Sequence, residues 1–237
     1  MSKVTIGSRG SPLALWQANW VKDLLLGHHS DLAVDIKIIK TSGDRIQDVP
    51  LAKIGGKGLF VKEIEEGLLK REVDFAVHSM KDMPIIFPVN LCIACVTKRE
   101  NPFDALISRN NIKLDDLPKG AKIGTGSLRR MSQLLYYRTD LNLVPLRGNL
   151  ETRLKKLETE GLDAIILAAA GLIRLGWKDC ITEIIPPEIL LPAMGQGAVG
   201  IETRKNDVDN QILLADMDDE ETHYALDAER ALVSQLE

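Results

Sequence analysis

Residues 78–82 read H-S-M-K-D and follow an apolar run, residues 73–77, which predicts a buried strand. A polar cluster directly after a buried strand is typical of a segment that lines a cleft. In such a place Asp82 could transfer protons or stabilise a developing cation. The alternative is that Asp82 caps the turn before Pro84. The residues alone leave both roles open. His78 is more typical of a hydrogen-bonded core histidine, because no second histidine lies at a metal-ligand spacing.

Four turns that lead into predicted helices combine small polar residues with cations. They are residues 8–11, 53–58, 125–130 and 147–153. A helix N-terminus offers free backbone N–H groups and a dipole that favours anions. Each cation alone is more typical of a solvated surface charge. Together, at carboxyl ends of strands where such turns converge, they indicate a basic cleft for a polycarboxylate or a polyphosphate.

Other chemistry is not indicated by the sequence. The phosphate-binding loop, the full dinucleotide fingerprint and the G-x-S-x-G motif do not occur. Cys92 and Cys95 form a C-x-x-C inside a strand pattern without a second pair, so we expect core cysteines and no metal site.

Composition and charge exclude further classes. The 237 residues include 34 acidic and 30 basic side chains, with a net charge of -4 and 4% aromatic residues, so nucleic-acid binding is not expected. The apolar run at residues 164–173 is shorter than the ~20 residues of a membrane-spanning helix. An odd number of cysteines, 3, and no secretory signal favour a reducing compartment, and we expect the cytoplasm.

Short aliphatic runs alternate with amphipathic stretches, which predicts an α/β fold with a largely parallel sheet. Residues 4–7 predict a strand, and Ser11 and Pro12 predict the N-cap and first position of a helix. The predicted buried face of that helix consists of Leu13, Trp16, Trp20 and Leu24.

The chain contains two similar α/β blocks, with a crossing near the polar residues 98–102. Residues 73–77 and 162–166 both follow an amphipathic helix and both begin a buried strand with aspartate second. We expect a first domain of residues 1–98 plus about 196–216, a second of residues 99–195, and the beginning of a third at residues 217–237.

Six segments in this order resemble the porphobilinogen deaminase (hydroxymethylbilane synthase) family. They are residues 8–14, 53–60, 78–82, 124–130, 146–149 and 192–198. The resemblance implies two lobes like those of type II periplasmic binding proteins. It also implies a third, α+β domain of which the chain contains only the first helix.

The resemblance further implies a transferase that condenses four porphobilinogen units, with loss of ammonia, into the linear tetrapyrrole hydroxymethylbilane. A covalent dipyrromethane cofactor acts as primer. Acetate and propionate arms make the growing polypyrrole a polyanion, which suits the basic turns. The expected partners are porphobilinogen and the polypyrrole, without nucleic acid or membrane, and we expect a monomer in heme or other tetrapyrrole biosynthesis.

Individual roles carry over from the family's motifs. Asp82 matches the catalytic carboxylate. The positions that match cofactor-binding residues are Ser79, Lys81, Thr125, Ser127, Arg129, Arg130 and Arg147. The positions that match residues for the substrate or the growing chain, or that lie on the loop and turn near them, are Arg9, Ser11, Lys53, Lys57, Arg153, Arg174 and Gln196.

The chain departs from the family at two places. Gly126 stands where the family commonly has a serine, so one hydroxyl contact is missing or is replaced by a backbone N–H. The family's helix continues into Gly-Gly-Cys, whose thiolate holds the cofactor, whereas this sequence ends at Glu237. We therefore expect a truncated chain that is inactive as written. A non-catalytic solute-binding protein is the alternative, and a DNA-binding regulator is disfavoured by the charge.

Overall fold

Two compact α/β units form the computed structural model, which describes residues 3–45 and 58–236. Of the described residues, unit 1 contains 3–45, 58–100 and 198–236, and unit 2 contains 101–197. The predicted domain boundaries, including the beginning of a third domain at residue 217, stay predictions.

The strands and helices of the described residues have the following bounds. The strands are β1 Lys3–Ser8, β2 Ala33–Ile38, β3 Phe75–Ser79, β4 Leu91–Val96, β5 Asp104–Ser108, β6 Lys122–Gly124, β7 Asn142–Val144, β8 Ala164–Ala168, β9 Glu183–Ile185 and β10 Val199–Arg204. The α-helices are α1 Pro12–His28, α2 Ser42–Arg45, α3 Lys62–Leu69, α4 Leu128–Tyr137, α5 Leu150–Thr159, α6 Ala169–Arg174, α7 Val208–Ala215 and α8 Glu220–Leu236. Short 3-10 helices span Met80–Asp82, Arg109–Asn111 and Lys178–Cys180.

Each unit has one five-stranded sheet, and the two sheets have the same plan. The order is β2-β1-β3-β10-β4 in unit 1 and β7-β6-β8-β5-β9 in unit 2. In each sheet the first three strands are parallel, while the fourth runs antiparallel to both neighbours. The predicted α/β class and the two similar lobes are confirmed. Four of the five strands in each sheet therefore run in the same direction, as expected of a largely parallel sheet. The exceptions are β10 and β5, which are antiparallel to their neighbours; no helix lies directly before either strand, and antiparallel neighbours need no crossover helix.

The repeated aspartate has the same role in both units. Asp74 Oδ2 accepts a hydrogen bond of 2.7 Å from the backbone N–H of Thr5, and the Asp74 N–H donates back to the Thr5 carbonyl. Asp163 makes the same two contacts with Lys122, with a 2.7 Å bond to its Oδ2. Each aspartate therefore clamps the strand that follows a helix to its parallel neighbour.

Helix α1 packs on the sheet of unit 1 through a face that differs from the predicted one. Ser11 caps the helix through its side chain and Pro12 begins it, as predicted. The buried residues are Gln17, Ala18, Val21 and Leu25, whereas Leu13, Trp16, Trp20 and Leu24 are only partly buried. Trp16 and Trp20 stack with ring centroids 5.8 Å apart at the margin of the interface, since large indole rings are rarely buried completely.

Among the described residues, no helix is both long and apolar enough to cross a membrane.

Candidate functional site

The polar segments of unit 1 that the sequence singled out lie at one edge of its sheet. Arg9 follows β1, and the 3-10 helix Met80–Asp82 follows β3. Because β1 and β3 are parallel, their carboxyl ends meet at the same edge. Asp82 is exposed there, and within residues 3–45 and 58–236 its carboxylate has no ion-pair partner.

The backbone around Asp82 is held from both sides. The Met80 N–H donates to the Ala198 carbonyl at 3.0 Å, just before β10. Downstream, Arg230 of α8 donates through Nη2 to the carbonyls of Pro84 at 2.7 Å and Ile85 at 2.6 Å. These contacts fix the segment on which an exposed carboxylate is presented.

Ser79 and Lys81 flank this segment differently. Ser79 is partly buried at the end of β3, and its Oγ lies 3.0 Å from Nε2 of Gln17 on α1. Lys81 is exposed beside Asp82. The buried amide of Gln17 therefore orients the Ser79 hydroxyl.

Arg9 is engaged by an acidic partner. Its Nη2 lies 2.5 Å from Asp44 Oδ1, and its guanidinium lies 4.2 Å from the centre of the Phe60 ring. Burial tends to raise the pKa of Asp44, but hydrogen bonds from Arg9 and Thr41 outweigh it, and the pKa lies below its ordinary value. Arg9 therefore belongs to a charge pair, and an anionic ligand would have to compete with Asp44 for it.

In unit 2, the beginning of α4 forms a small polar cradle after β6. Ser127 is the N-cap, and its Oγ accepts from the Arg130 N–H at 3.4 Å. Thr125 is buried, and its Oγ1 accepts from the Ser127 N–H at 3.3 Å. The positive end of the helix dipole at this point favours an acidic group.

Arg129 and Arg130 converge on a single buried carboxylate, that of Asp104. Arg130 Nη2 lies 2.7 Å from Oδ1, and Arg129 Nη2 lies 2.7 Å from Oδ2. Gln196 Nε2 donates to the same Oδ1 at 2.9 Å and to the Pro102 carbonyl at 2.7 Å. The structure therefore brings three of the predicted residues together around an aspartate that the sequence analysis did not single out.

The remaining predicted cations of unit 2 differ in exposure. Arg153 is partly buried, and its Nε donates to the Gly148 carbonyl at 2.8 Å. Arg174 is buried at the end of α6 and donates to the Gly197 carbonyl at 2.8 Å. Arg147 is partly buried directly before the turn at Gly148. The Arg153 and Arg174 side chains therefore support the backbone of the turns as well as supplying positive charge.

Two predicted residues, Lys53 and Lys57, lie outside the described residues. Three residues that contact predicted site residues were missed: Gln17, Asp44 and Asp104. Asp104 left the clearest signal, since it is a lone acid at the beginning of the apolar residues 105–107. A charged residue at the beginning of a buried strand needs an oppositely charged partner. Arg129 and Arg130, which the sequence analysis had already placed on a turn, were candidates for that partner.

The described residues hold no cluster of three histidine, cysteine, aspartate or glutamate side chains suited to a metal ion. Burial, with a smaller effect of Asp218, raises the pKa of the Cys95 thiol far above its ordinary value. Cys95 is therefore an inert core thiol.

Comparisons with known proteins show that the chain is similar to porphobilinogen deaminases. Residues 4–211 match the family model described as "Porphobilinogen deaminase, dipyromethane cofactor binding domain". The chain is 56% identical over 235 residues to the porphobilinogen deaminase of Desulforamulus reducens, covering 99% of this chain and 76% of that protein. It is 54% identical over 238 residues to that of Bacillus subtilis, covering 100% of this chain and 76% of that protein.

A solved structure shows the same kind of fold. It is a TRAP periplasmic solute binding protein from Desulfovibrio salexigens, with a TM-score of 0.52 and 11% identity, covering 97% of this chain and 77% of that one. At this identity the likeness shows the fold alone, a pair of α/β lobes of the type II periplasmic binding protein kind.

Proposed function

The chain belongs to the porphobilinogen deaminase family, and from that membership we propose that it is a transferase making hydroxymethylbilane. It would join four porphobilinogen molecules head to tail, releasing one ammonia for each. The structural observation that carries the proposal is Asp82, an exposed carboxylate fixed at the carboxyl end of β3.

Asp82 is the group proposed to act on the reacting atoms. Positive charge develops on porphobilinogen as its amino group leaves as ammonia, and a fixed carboxylate stabilises that charge. The same carboxylate can accept the proton lost from the pyrrole carbon after the new carbon–carbon bond forms. Backbone hydrogen bonds on either side of the 3-10 helix keep this group in place without occupying it.

The side chains of unit 2 fit a ligand that carries several carboxylates. The cluster of Arg129, Arg130 and Asp104 has two positive charges and one negative charge, and it lies beside the N-terminus of α4. When bound, dipyrromethane would supply the free pyrrole carbon to which the first porphobilinogen unit is joined, and it would anchor the growing chain. Arginine and helix N-termini both favour the acetate and propionate arms of such a molecule.

The roles assigned from the family's motifs are part of this proposal. For the cofactor they are Ser79 and Lys81 in unit 1 and Thr125, Ser127, Arg129, Arg130 and Arg147 in unit 2. For the substrate or growing chain they are Arg9, Ser11, Lys53, Lys57, Arg153, Arg174 and Gln196. The geometry supports Arg129 well, since a quarter of its side chain stays exposed. Arg9 would need to exchange Asp44 for a ligand.

The proposal includes the cytoplasm as the location and a monomer as the active form. The cysteines at positions 92, 95 and 180 are free thiols, which suits a reducing compartment.

Turnover of porphobilinogen by the protein, as its gene encodes it, tests the proposal. Ammonia and hydroxymethylbilane should form together, and Asp82→Asn should lower the rate at least about 100-fold because the amide cannot take up a proton or balance a positive charge. Asp23→Asn is the matched control, since Asp23 is an exposed aspartate of α1 in the same unit.

The outcomes separate an enzyme from a binding protein. Porphobilinogen binding without ammonia release would favour a non-catalytic solute binder. Turnover that survives Asp82→Asn unchanged would contradict the role of Asp82.

A further inference from the structure

The Asp104 carboxylate of unit 2 accepts side-chain hydrogen bonds at both of its oxygens. It is fully buried as the first residue of β5. Its Oδ1 accepts from Arg130 Nε at 3.0 Å, from Arg130 Nη2 at 2.7 Å and from Gln196 Nε2 at 2.9 Å. Its Oδ2 accepts from Arg129 Nη2 at 2.7 Å. One carboxylate therefore fixes two consecutive arginines.

The topology of the sheet explains why Asp104 reaches these arginines. β5 is antiparallel to β8, with Asp104 opposite Ala168, so β5 begins where β8 ends. β6 is parallel to β8, and α4 begins just after β6. The first residue of β5 is therefore placed at the edge where α4 presents its first turn.

Further contacts lock the guanidinium groups. Arg130 Nη1 donates to the Ile166 carbonyl of β8 at 2.9 Å, which fixes the plane of its guanidinium. Arg129 Nη1 donates to the Leu191 carbonyl. The exposed fraction of the side chain is 24% for Arg129 and 7% for Arg130, so Arg129 presents more of its surface to a ligand.

Charge in this cluster does not cancel. Burial alone would raise the pKa of Asp104, but Arg130 and Arg129 outweigh burial, and the pKa lies below its ordinary value. One ionised carboxylate facing two guanidinium groups leaves one net positive charge beside the N-terminus of α4.

We propose that Asp104 is a positioning residue for the acidic ligand of unit 2, holding Arg129 and Arg130 in ligand-ready orientations before the ligand binds. This inference rests on the proposed function, which assigns the dipyrromethane cofactor to these arginines. Asp104 itself touches no ligand atom in the proposal. Its effect is to remove the freedom of two long side chains that a carboxylate would otherwise have to order.

If Asp104 only neutralised the charge of the arginines, its removal would have the opposite effect on ligand affinity. Asp104→Asn removes one negative charge, so electrostatics alone would make an anionic ligand bind more tightly. Loss of positioning makes it bind more weakly. The sign of the change in affinity therefore separates the two roles.

The experiment measures the dissociation constant of free dipyrromethane, carrying its acetate and propionate arms, by calorimetry under anaerobic conditions. We expect Asp104→Asn to weaken binding about tenfold or more. We expect Asp104→Glu, which keeps the charge but moves the carboxylate by one methylene, to weaken it as well. The matched control is Asp140→Asn, which breaks another ion pair of the same unit, in which Arg138 Nη2 lies 2.6 Å from Asp140 Oδ2. This variant should leave the affinity unchanged.

Tighter binding by Asp104→Asn, or parent affinity in Asp104→Glu, would overturn the proposal. If the parent chain itself does not bind dipyrromethane, the cofactor assignment fails, which is a different result from a variant that binds as well as the parent.

A second measurement needs neither a variant nor a ligand. In the free, unsubstituted chain, NMR of the arginine Nε–H groups should show slow rotation about the Nε–Cζ bond for Arg129 and Arg130. Fast rotation of both groups in the free chain would overturn the proposal, even where the Asp104 variants fail to fold.

Discussion

The imidazole Nε2 of His78 lies 3.1 Å from Oε2 of Glu202, and both side chains are buried in unit 1. β3 and β10 are antiparallel, with His78 opposite Gly200 and Glu202 opposite Ala76. The pair therefore joins the two strands two residues before the 3-10 helix Met80–Asp82. The sequence analysis predicted that His78 is a hydrogen-bonded core histidine, and its buried contact with Glu202 confirms that prediction.

Removing His78 should destabilise unit 1 strongly. His78→Asn leaves the Glu202 carboxylate buried without its partner, and Glu202 Oε1 already lacks a hydrogen-bond partner among the described residues. We expect a loss of about 3 kcal/mol in the free energy of unfolding. Glu202→Gln should cost less, because a neutral amide can still hydrogen-bond to the imidazole.

Urea unfolding followed by circular dichroism measures both changes. Asp35→Asn is the control, because the Lys3–Asp35 pair is exposed and should contribute nothing measurable. Equal effects of His78→Asn and Asp35→Asn would show that the buried pair adds no stability.

Glu65 of α3 gives unit 1 a pH-dependent stability. Burial raises the pKa of Glu65, the Glu202 carboxylate raises it further, and His78 lowers it by less. A carboxyl whose pKa is higher in the folded state binds more protons when folded. Its contribution is therefore complete below the unfolded value, near 4.5, and is lost as the pH rises through the folded value.

Glu65→Gln should remove this loss, because the amide stays neutral at every pH. The variant should exceed the parent in free energy of unfolding at neutral pH, with the difference vanishing towards pH 4. Urea titrations across that range measure it. Glu66→Gln, at an exposed glutamate of the same helix, should show no such trend, and a difference that grows towards acid pH would reverse the sign argued here.

Local signals in the sequence predicted the parts of the fold that depend on neighbouring residues. Ser11 and Pro12 marked the beginning of α1, and the repeated aspartates at positions 74 and 163 indicated two similar units, although their hydrogen bonds to Thr5 and Lys122 were not predicted. These features follow from hydrogen bonds between near neighbours or from a pattern that repeats, so they can be read without the fold.

Contacts between distant residues could not be predicted in this way. Gln17 is 62 positions from Ser79, and Asp104 is 25 positions from Arg129. The buried face of α1 was placed about one position too early, because apolar character alone favoured the tryptophans over a glutamine. A polar residue is buried only where a partner satisfies it, and the sheet order decides which partner that is.

Gly200 should be required for the position of the Asp82 segment. A Cβ at this position would overlap the sulfur of Met80, and Met80 is buried directly before Lys81 and Asp82. We expect Gly200→Ala to lower the free energy of unfolding by about 1–3 kcal/mol and to reduce porphobilinogen turnover. Thermal unfolding and ammonia release measure the two effects, and parent turnover in this variant would show that Met80 moves without disturbing Asp82.

Gly126 should resist replacement by the serine that the family commonly carries. A Cβ at position 126 would lie 2.7 Å from the backbone carbonyl oxygen of Leu146, which cannot move as a side-chain end can. Gly126→Ser and Gly126→Ala should therefore both lower the free energy of unfolding by about 1–3 kcal/mol. Equal losses would assign the effect to the Cβ and not to the hydroxyl.

Gly27 provides the matched control for this prediction. It lies near the end of α1, where an added Cβ meets nothing within 4 Å. Gly27→Ala should be neutral or stabilising, since alanine favours a helix over glycine by about 1 kcal/mol. If Gly126→Ser were as stable as the parent in urea unfolding, the turn between β6 and α4 would have room for the family's second hydroxyl. The close approach of the Leu146 carbonyl would then not explain why this chain has glycine at position 126.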